Sequence, residues 1–247
     1  MSGRFYAGDV YFNRLDAAGQ PTGLINFGNT PKLSITEAAD EKLRSSAGRD
    51  TYGQALDAVY VKKPTEIAIM GDEMDAANLA IGLLGTVSLL SQATATVTAE
   101  AVAAVKLDTY SELANGNVSA VVVSDTGGTP VYVEGTDYVV NASVGMIKPL
   151  STGSITDGST LSVAYTAGVI SGNRIAGGTQ PTVKGQIIMD GIDLATQREG
   201  ILRIDQAVLT PNKALDILGG NFLGLELKGR LLLLPGKAQP YVFDDRA

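Results

Sequence analysis

A chain of 247 residues with 45% hydrophobic content has room for one large or two small domains, each with its own core. It contains no His, Cys or Trp, which excludes disulfides, zinc sites of the Cys/His kind, thiol nucleophiles and every His-based triad. A formal charge of −7 argues against tight sequence-independent binding to nucleic acid, since that needs basic surface. It fits simple solubility, or a surface that DNA passes without sticking.

The 29 glycines and 6% aromatics, with many Thr and Val, favour a turn-rich, strand-rich chain over a helical bundle. Residues 4–14 read as a strand carrying Phe5, Tyr6, Val10, Tyr11 and Phe12. The cluster AAGQPTG (17–23) is a turn, and Leu24–Phe27 a short second strand. In 31–72, Leu33 and Ile35 alternate with Lys32, Ser34 and Thr36, while Ile67 and Ile69 alternate with Glu66, Ala68 and Met70. That period marks two strands with one apolar face each. Between them lie roughly 25 residues of mixed charge and little core material, a connection long enough to be functional in its own right. One economical explanation is that another copy of the protein orders it.

After Gly71 the period changes. Asp72 is suited to an N-cap, Glu73 and Asp75 to a first turn, and Gly85 to the position after the last turn. Met74, Ala77, Ile81 and Leu84 recur at helical spacing, so a helix is expected over 72–84. The acids do not follow a calcium-loop spacing, so capping is the reading they support. From 91 to 170, β-rich runs alternate with NGN, DTGGTP and TGSITDG turns, as in a small antiparallel sandwich or barrel. SGNRIAGGTQP (171–181) reads as a linker returning to the first domain. The last third alternates again: Leu223, Leu225 and Leu227 share one face of a strand, and Glu226, Lys228 and Arg230 the other. Gly229 reads as a bulge, Thr210–Pro211 followed by KALDILGG as a short helical turn, and YVFDDRA as an exposed tail with Tyr241–Phe243 on a sheet edge. The N-terminus lacks an apolar signal region, and Leu79–Leu90 is too short to span a bilayer, so a soluble protein made in the cytoplasm is expected.

No P-loop, dinucleotide fingerprint, nucleophile elbow or metalloprotease motif is present. The carboxylate pairs Asp190/Asp193 and Asp125/Glu134 are formal candidates for glycoside hydrolysis, but acids in turns are ordinarily solvated caps. The chain is therefore expected to be no enzyme, with no cofactor and no metal. What recurs is a polar face on successive strands: Lys32, Ser34 and Thr36; Glu66; Gln186 and Asp190; Arg203 and Asp205; Glu226, Lys228 and Arg230. Such a face is either the solvent side of a half-buried sheet or the lining of a water-filled channel.

Several stretches together resemble the major tail tube protein of long-tailed bacteriophages. They are Gly8-Asp9-Val10-Tyr11 before a Gly-rich turn, Phe27-Gly28-Asn29-Thr30 leading into PKLSI, and Ser45-Ser46 followed by Tyr52-Gly53-Gln54-Ala55-Leu56-Asp57. PTEIAI, EMDAANLAIGLLG and LELKGRLLLLPG continue the likeness, which covers most of 4–90 and 171–247. The resemblance implies a mainly β tail-tube barrel or sandwich core over 1–90 and 171–247, with one flanking helix and a small sandwich-like domain, 91–170, inserted on the outer surface. It implies subunits that close into six-fold rings and stack into a tube, the conduit for DNA ejection. The loop at about 38–61, with Glu41, Lys42, Arg44, Arg49, Asp50 and Tyr52, would reach the next ring. Ser34, Thr36, Glu66, Asp190, Asp205 and Glu226 would face the lumen. Partners would be further copies of the chain, then tape measure, tail-tip and tail-terminator proteins. DNA would pass without stable binding, no membrane would be involved, and the site of action would be the virion tail. The competing expectations are a monomeric β-rich module that binds carbohydrate or a host surface, and a carboxylate-dependent hydrolase.

Overall fold

The computed structural model describes residues 3–16 and 18–246 and is mainly β, with 53% strand and 3% helix. Runs of Val, Ile, Thr and Tyr punctuated by glycine favour this, because those side chains fit a pleated, half-buried surface. The chain forms two compact units, Met1–Val87 with Ile175–Ala247 and Ser88–Arg174. No helix among the described residues is long and apolar enough to cross a membrane.

The first unit opens with β1 (Tyr6–Leu15), β2 (Pro21–Asn26), β3 (Lys32–Thr36), β4 (Ala39–Ser45), β5 (Ala55–Lys62), β6 (Glu66–Gly71) and α1 (Ala76–Gly82). The turn read at 17–23 starts on Ala17, which lies outside the described residues, and Pro21 already begins β2. β3 and β6 pair antiparallel, with Leu33 opposite Ile69 and Ile35 opposite Ile67, so the alternation does put the apolar set on one face. The segment read as a loop at 38–61 is instead a hairpin, in which β4 and β5 pair from Ala39–Lys62 up to Ser45–Ala55. The strand pairing satisfies backbone groups locally, so order here needs no core.

The helix starts later than Asp72. Asp75 is the N-cap, its carboxylate accepting a hydrogen bond from the Asn78 N–H at 2.7 Å. Asp72 instead accepts from the Asn29 side-chain amide at 2.7 and 2.8 Å, and Glu73 from the Asn29 N–H at 3.2 Å. Both acids thus tie down the β2–β3 connection. At the other end Leu84, with φ of 49°, takes the left-handed position expected for Gly85.

β7 (Thr86–Gln92) pairs with β14 (Ile170–Ala176) as a two-stranded sheet, so the start of the segment read as a linker at 171–181 is a strand. Between them lie β8 (Ala95–Val102), β9 (Ser111–Glu112), β10 (Val118–Asp125), β11 (Tyr138–Asn141), β12 (Met146–Pro149) and β13 (Leu161–Ala167). These form two three-stranded sheets, β10-β13-β8 and β11-β12-β9. Val123, Leu161 and Val163 from the first and Tyr138 and Ile147 from the second meet in one buried cluster.

The chain then completes the first unit with β15 (Val183–Asp193), β16 (Arg198–Pro211), β17 (Leu225–Leu231) and β18 (Tyr241–Asp245). Its eight-stranded sheet runs β2-β1-β15-β16-β17-β6-β3, with β18 also paired to β16. β16 is 14 residues long and carries a bulge: Ile204 and Ala207 pair with Ile187 and Gly185, leaving Asp205 and Gln206 opposite the single Gln186. Ahead of the bulge β16 pairs with β15 and β18, and beyond it with β15 and β17, which leads on to β6 and β3. Inward residues of both halves, among them Phe12, Ile187, Ile204, Ile69, Leu209 and Leu227, belong to one core cluster with Ile81 of α1. The seven-residue helix covers only part of this face, and inward residues from distant strands of the sheet meet in the same cluster.

Two smaller expectations are corrected. Pro211 is the last residue of β16, opposite Leu227, and 212–224 form neither helix nor strand. A strand end tolerates proline, which outweighed its value as a first helical residue. Gly229 sits in regular register opposite Leu209 and is no bulge. It is glycine because a Cβ there would run into the Val208 carbonyl oxygen.

Each unit also buries one carboxylate. Asp193 accepts from the Phe5 and Ala195 N–H groups at 3.0 and 3.1 Å and from the Thr196 hydroxyl at 2.7 Å. Asp137 accepts from the Val133 N–H at 2.8 Å and the Ser154 N–H at 2.7 Å. Backbone N–H donors hold both carboxyls below the usual carboxylate range. Their folded pKa is depressed, so in acid the unfolded chain binds more protons. The stabilisation is therefore present above about pH 4 and lost as pH falls through the folded pKa. Thermal unfolding followed between pH 2 and 6 should show the midpoint falling only on the acid side. Asp137→Asn should lower the midpoint at neutral pH and flatten that acid slope, and an unchanged slope would contradict the assignment.

Candidate functional site

The paired carboxylates do not assemble. Asp190 and Asp193 sit three apart on β15, Asp190 exposed and Asp193 buried as a backbone cap. Asp125 accepts from the Thr126 N–H at 2.8 Å, and Glu134 is exposed beside its bridge to Tyr138. No group of three or more Asp or Glu residues suited to holding a metal occurs among the described residues.

The polar strand faces do converge. Register places Thr36, Glu66, Arg230 and Val208 in one row, Ser34, Ala68, Lys228 and Thr210 in the next, and Lys32, Met70 and Glu226 in a third. Residues opposite one another share a face, and their neighbours Ile35, Ile67, Ile69 and Leu227 point to the core. Ser34, Thr36, Glu66 and Glu226 therefore lie together on the outward face of β3, β6, β17 and the end of β16. Glu66 lies between two cations, 3.8 Å from Lys228 and 4.0 Å from Arg230, in exposed pairs that contribute about 0–1 kcal/mol each. They leave this face mixed in charge rather than uniformly acidic.

Asp190 and Asp205 lie elsewhere. Asp190 is on the outward face of the β1/β15 half, opposite Asp9 and Ile201. Asp205 is in the bulge, 3.4 Å from Lys237. Asp190 keeps the outward parity of Lys184, which pairs with Val208 of the first row, but lies further along β15, and only Asp205 falls at the bulge itself.

The hairpin is the second element. Every residue of β4 and β5 is exposed, including Glu41, Lys42 and Arg44. Its tip is held by its own bonds: the Ser46 and Thr51 hydroxyls lie 2.7 Å apart, the Gly48 N–H donates to Ser46 Oγ at 3.1 Å, and the Gly53 N–H donates to the Ser46 carbonyl at 2.9 Å. Arg49, Asp50 and Tyr52 are displayed on that tip, Tyr52 at 81% exposure. Leu43, Leu56 and Tyr60 project from one face of the ribbon, Val59 and Val61 from the other, all at least half exposed. The charges hide these five in the sequence, although the alternation in ALDAVYVK marks four of them, Leu43 lying on the other strand. A two-stranded ribbon is marginal in water, and exposed apolar groups on both of its faces are a feature of interaction surfaces.

The model of a family described as "Protein of unknown function UCP028589" matches residues 4–241. No curated protein matches the chain.

Proposed function

The chain belongs to this family of unknown function, and we propose that it is the major tail tube subunit of a long-tailed bacteriophage, a structural protein without catalytic residues. The observation that carries the reading is the hairpin 39–62, whose two strands are wholly exposed and carry apolar side chains on both faces. In a stack of rings it would contact the next ring, with Glu41, Lys42, Arg44, Arg49, Asp50 and Tyr52 setting register at its rim. The outward face of β3, β6, β17 and β16 supports the reading in a second way, because a tube needs a polar, water-filled lining. Ser34, Thr36, Glu66 and Glu226 belong on that lining, with Asp190 further along the same outward face and Asp205 in the bulge. The sheet ends at β2 and β3. Pairing such edges between neighbouring copies would satisfy their free backbone groups and continue the sheet around a ring. Contacts within the ring close on themselves, and those between rings stay open and give a filament.

On this reading the units Ser88–Arg174 decorate the tube, the chain is made in the host cytoplasm, and it acts in the virion tail. There it meets tape measure, tail-tip and tail-terminator proteins, and DNA passes without stable binding. The test is the particle that the purified protein forms: rings that stack, or a monomer at every concentration. The second outcome would favour a monomeric binding module.

A further inference from the structure

The most exposed apolar groups of the first unit are outside the hairpin. In the 212–224 segment between β16 and β17, Phe222 is fully exposed, Leu218 is 96% exposed and Ile217 is 67% exposed. The segment also carries Lys213 and Asp216. Large apolar side chains left this bare are the pattern of an interaction element, because nothing in the folded chain offsets their exposure.

The same unit has a surface that matches. On the outward side of β1, β2, β15 and β16, Tyr11, Leu24, Ile188 and Ile201 line a shallow cavity of about 440 Å³, with Asp190 and Arg203 at its edge. Register explains the cluster: Tyr11 pairs with Ile188 and Ile188 with Arg203, while Asp190 pairs with Ile201. The apolar groups are thus the outward positions of strands whose other side forms the core. The cavity admits one or two large side chains and is too small for a two-stranded ribbon, so the hairpin is not its occupant.

We infer that Phe222 of one copy of this chain seats in the Tyr11–Leu24–Ile188–Ile201 cavity of a second copy. The occupant is a second copy on grounds of charge and topology. Lys213 and Asp216 precede the apolar residues of the segment, and Asp190 and Arg203 lie at the cavity's edge, so each side of the contact offers one cation and one anion to the other. The segment leaves β16 at Pro211 and enters β17 at Leu225, in the half of the sheet across the bulge from the cavity, and does not lie over the cavity of its own chain. The contact joins two different patches, so it is heterologous and propagates from copy to copy. It goes beyond the hairpin contact and involves none of its residues.

Two experiments test this on the full-length protein. Phe222→Ser should leave the thermal midpoint unchanged, because the ring touches nothing in the free chain. It should raise the concentration of half-assembly roughly thirtyfold, the effect of truncating an aromatic anchor. The chain has no cysteine, so the Leu24→Cys/Phe222→Cys double variant carries only the designed pair. Under mild oxidation it should give a ladder of multimers that collapses on reduction, while either single variant stops at dimers. Tubes that form with unchanged concentration dependence in Phe222→Ser, or without a ladder in the double variant, would overturn this contact and leave the tube reading standing. A wild-type chain that stays monomeric at every concentration would overturn both.

Discussion

Replacing residues 40–61 with Asn-Gly, so that Ala39 and Lys62 flank a two-residue turn, is expected to abolish tube formation while leaving the core folded. Ala39 and Lys62 are already paired, and Asn-Gly suits the turn that closes so short a hairpin. The removed residues are almost all exposed, Ser46 alone being buried within the tip itself. At the hairpin base, Lys63 donates its N–H to the Ala38 carbonyl at 2.8 Å, and Lys62 lies 3.5 Å from Glu37; both survive the replacement. The Lys63–Asp40 pair at 2.6 Å is lost, but an exposed pair contributes about 0–1 kcal/mol. The thermal midpoint should therefore move by only a few degrees, about what 1 kcal/mol produces in a unit of this size. Assembly should fail at every concentration tested, because the apolar groups proposed to join one ring to the next have gone. Tyr60→Ser, which removes a single aromatic anchor from the ribbon, should weaken stacking without eliminating it. Normal tubes from the Asn-Gly replacement would show that the hairpin is not the stacking element.

Leu227→Ala is expected to cost about 2–5 kcal/mol of stability, the range for emptying a buried leucine site. Leu227 is fully buried and lies on β17 between Pro211 of β16 and Ile69 of β6. Its face belongs to the cluster that strands from across the sheet share, so the cavity cannot collapse without moving strands. Truncating its exposed neighbour Lys228 to Ala should change stability by less than about 0.5 kcal/mol, because it lies on the outward face and makes only a long ion pair. Denaturant titration of the two variants measures the difference. Similar losses in both would mean that inward and outward faces are misassigned.

Where periodicity and register coincide, the fold was legible in the residues. β3 and β6 follow directly from the alternation around Leu33, Ile35, Ile67 and Ile69, and β17 from Leu225 and Leu227 against Glu226 and Lys228. Side-chain period decides such strands because one face is buried. The helix start was not legible, because Asp72 and Asp75 are equally good caps. The choice fell to Asn29, a residue more than forty positions away, whose side chain claims Asp72. The hairpin was misread because its strands bury nothing, so charge outweighed alternation. Gly and Ser in ISGNRIA hid β14 in the same way, as its pairing with β7 comes from distant sequence.

The candidate site was half legible. Outward parity identified Ser34, Thr36, Glu66 and Glu226 as one surface, and those residues do lie together. Asp190 is outward as well but lies further along β15, and Asp205 falls in the bulge, where alternation no longer decides the face. The cavity beside Asp190 was not legible, because Tyr11, Leu24, Ile188 and Ile201 meet only through strand order.

Negative-stain electron microscopy of the purified full-length protein tests the central claim most directly. The account predicts stacked rings of six-fold symmetry with a continuous central channel, lengthening with protein concentration and absent from the Asn-Gly hairpin replacement. Isolated globular particles at every concentration, with no ring or channel, would contradict it.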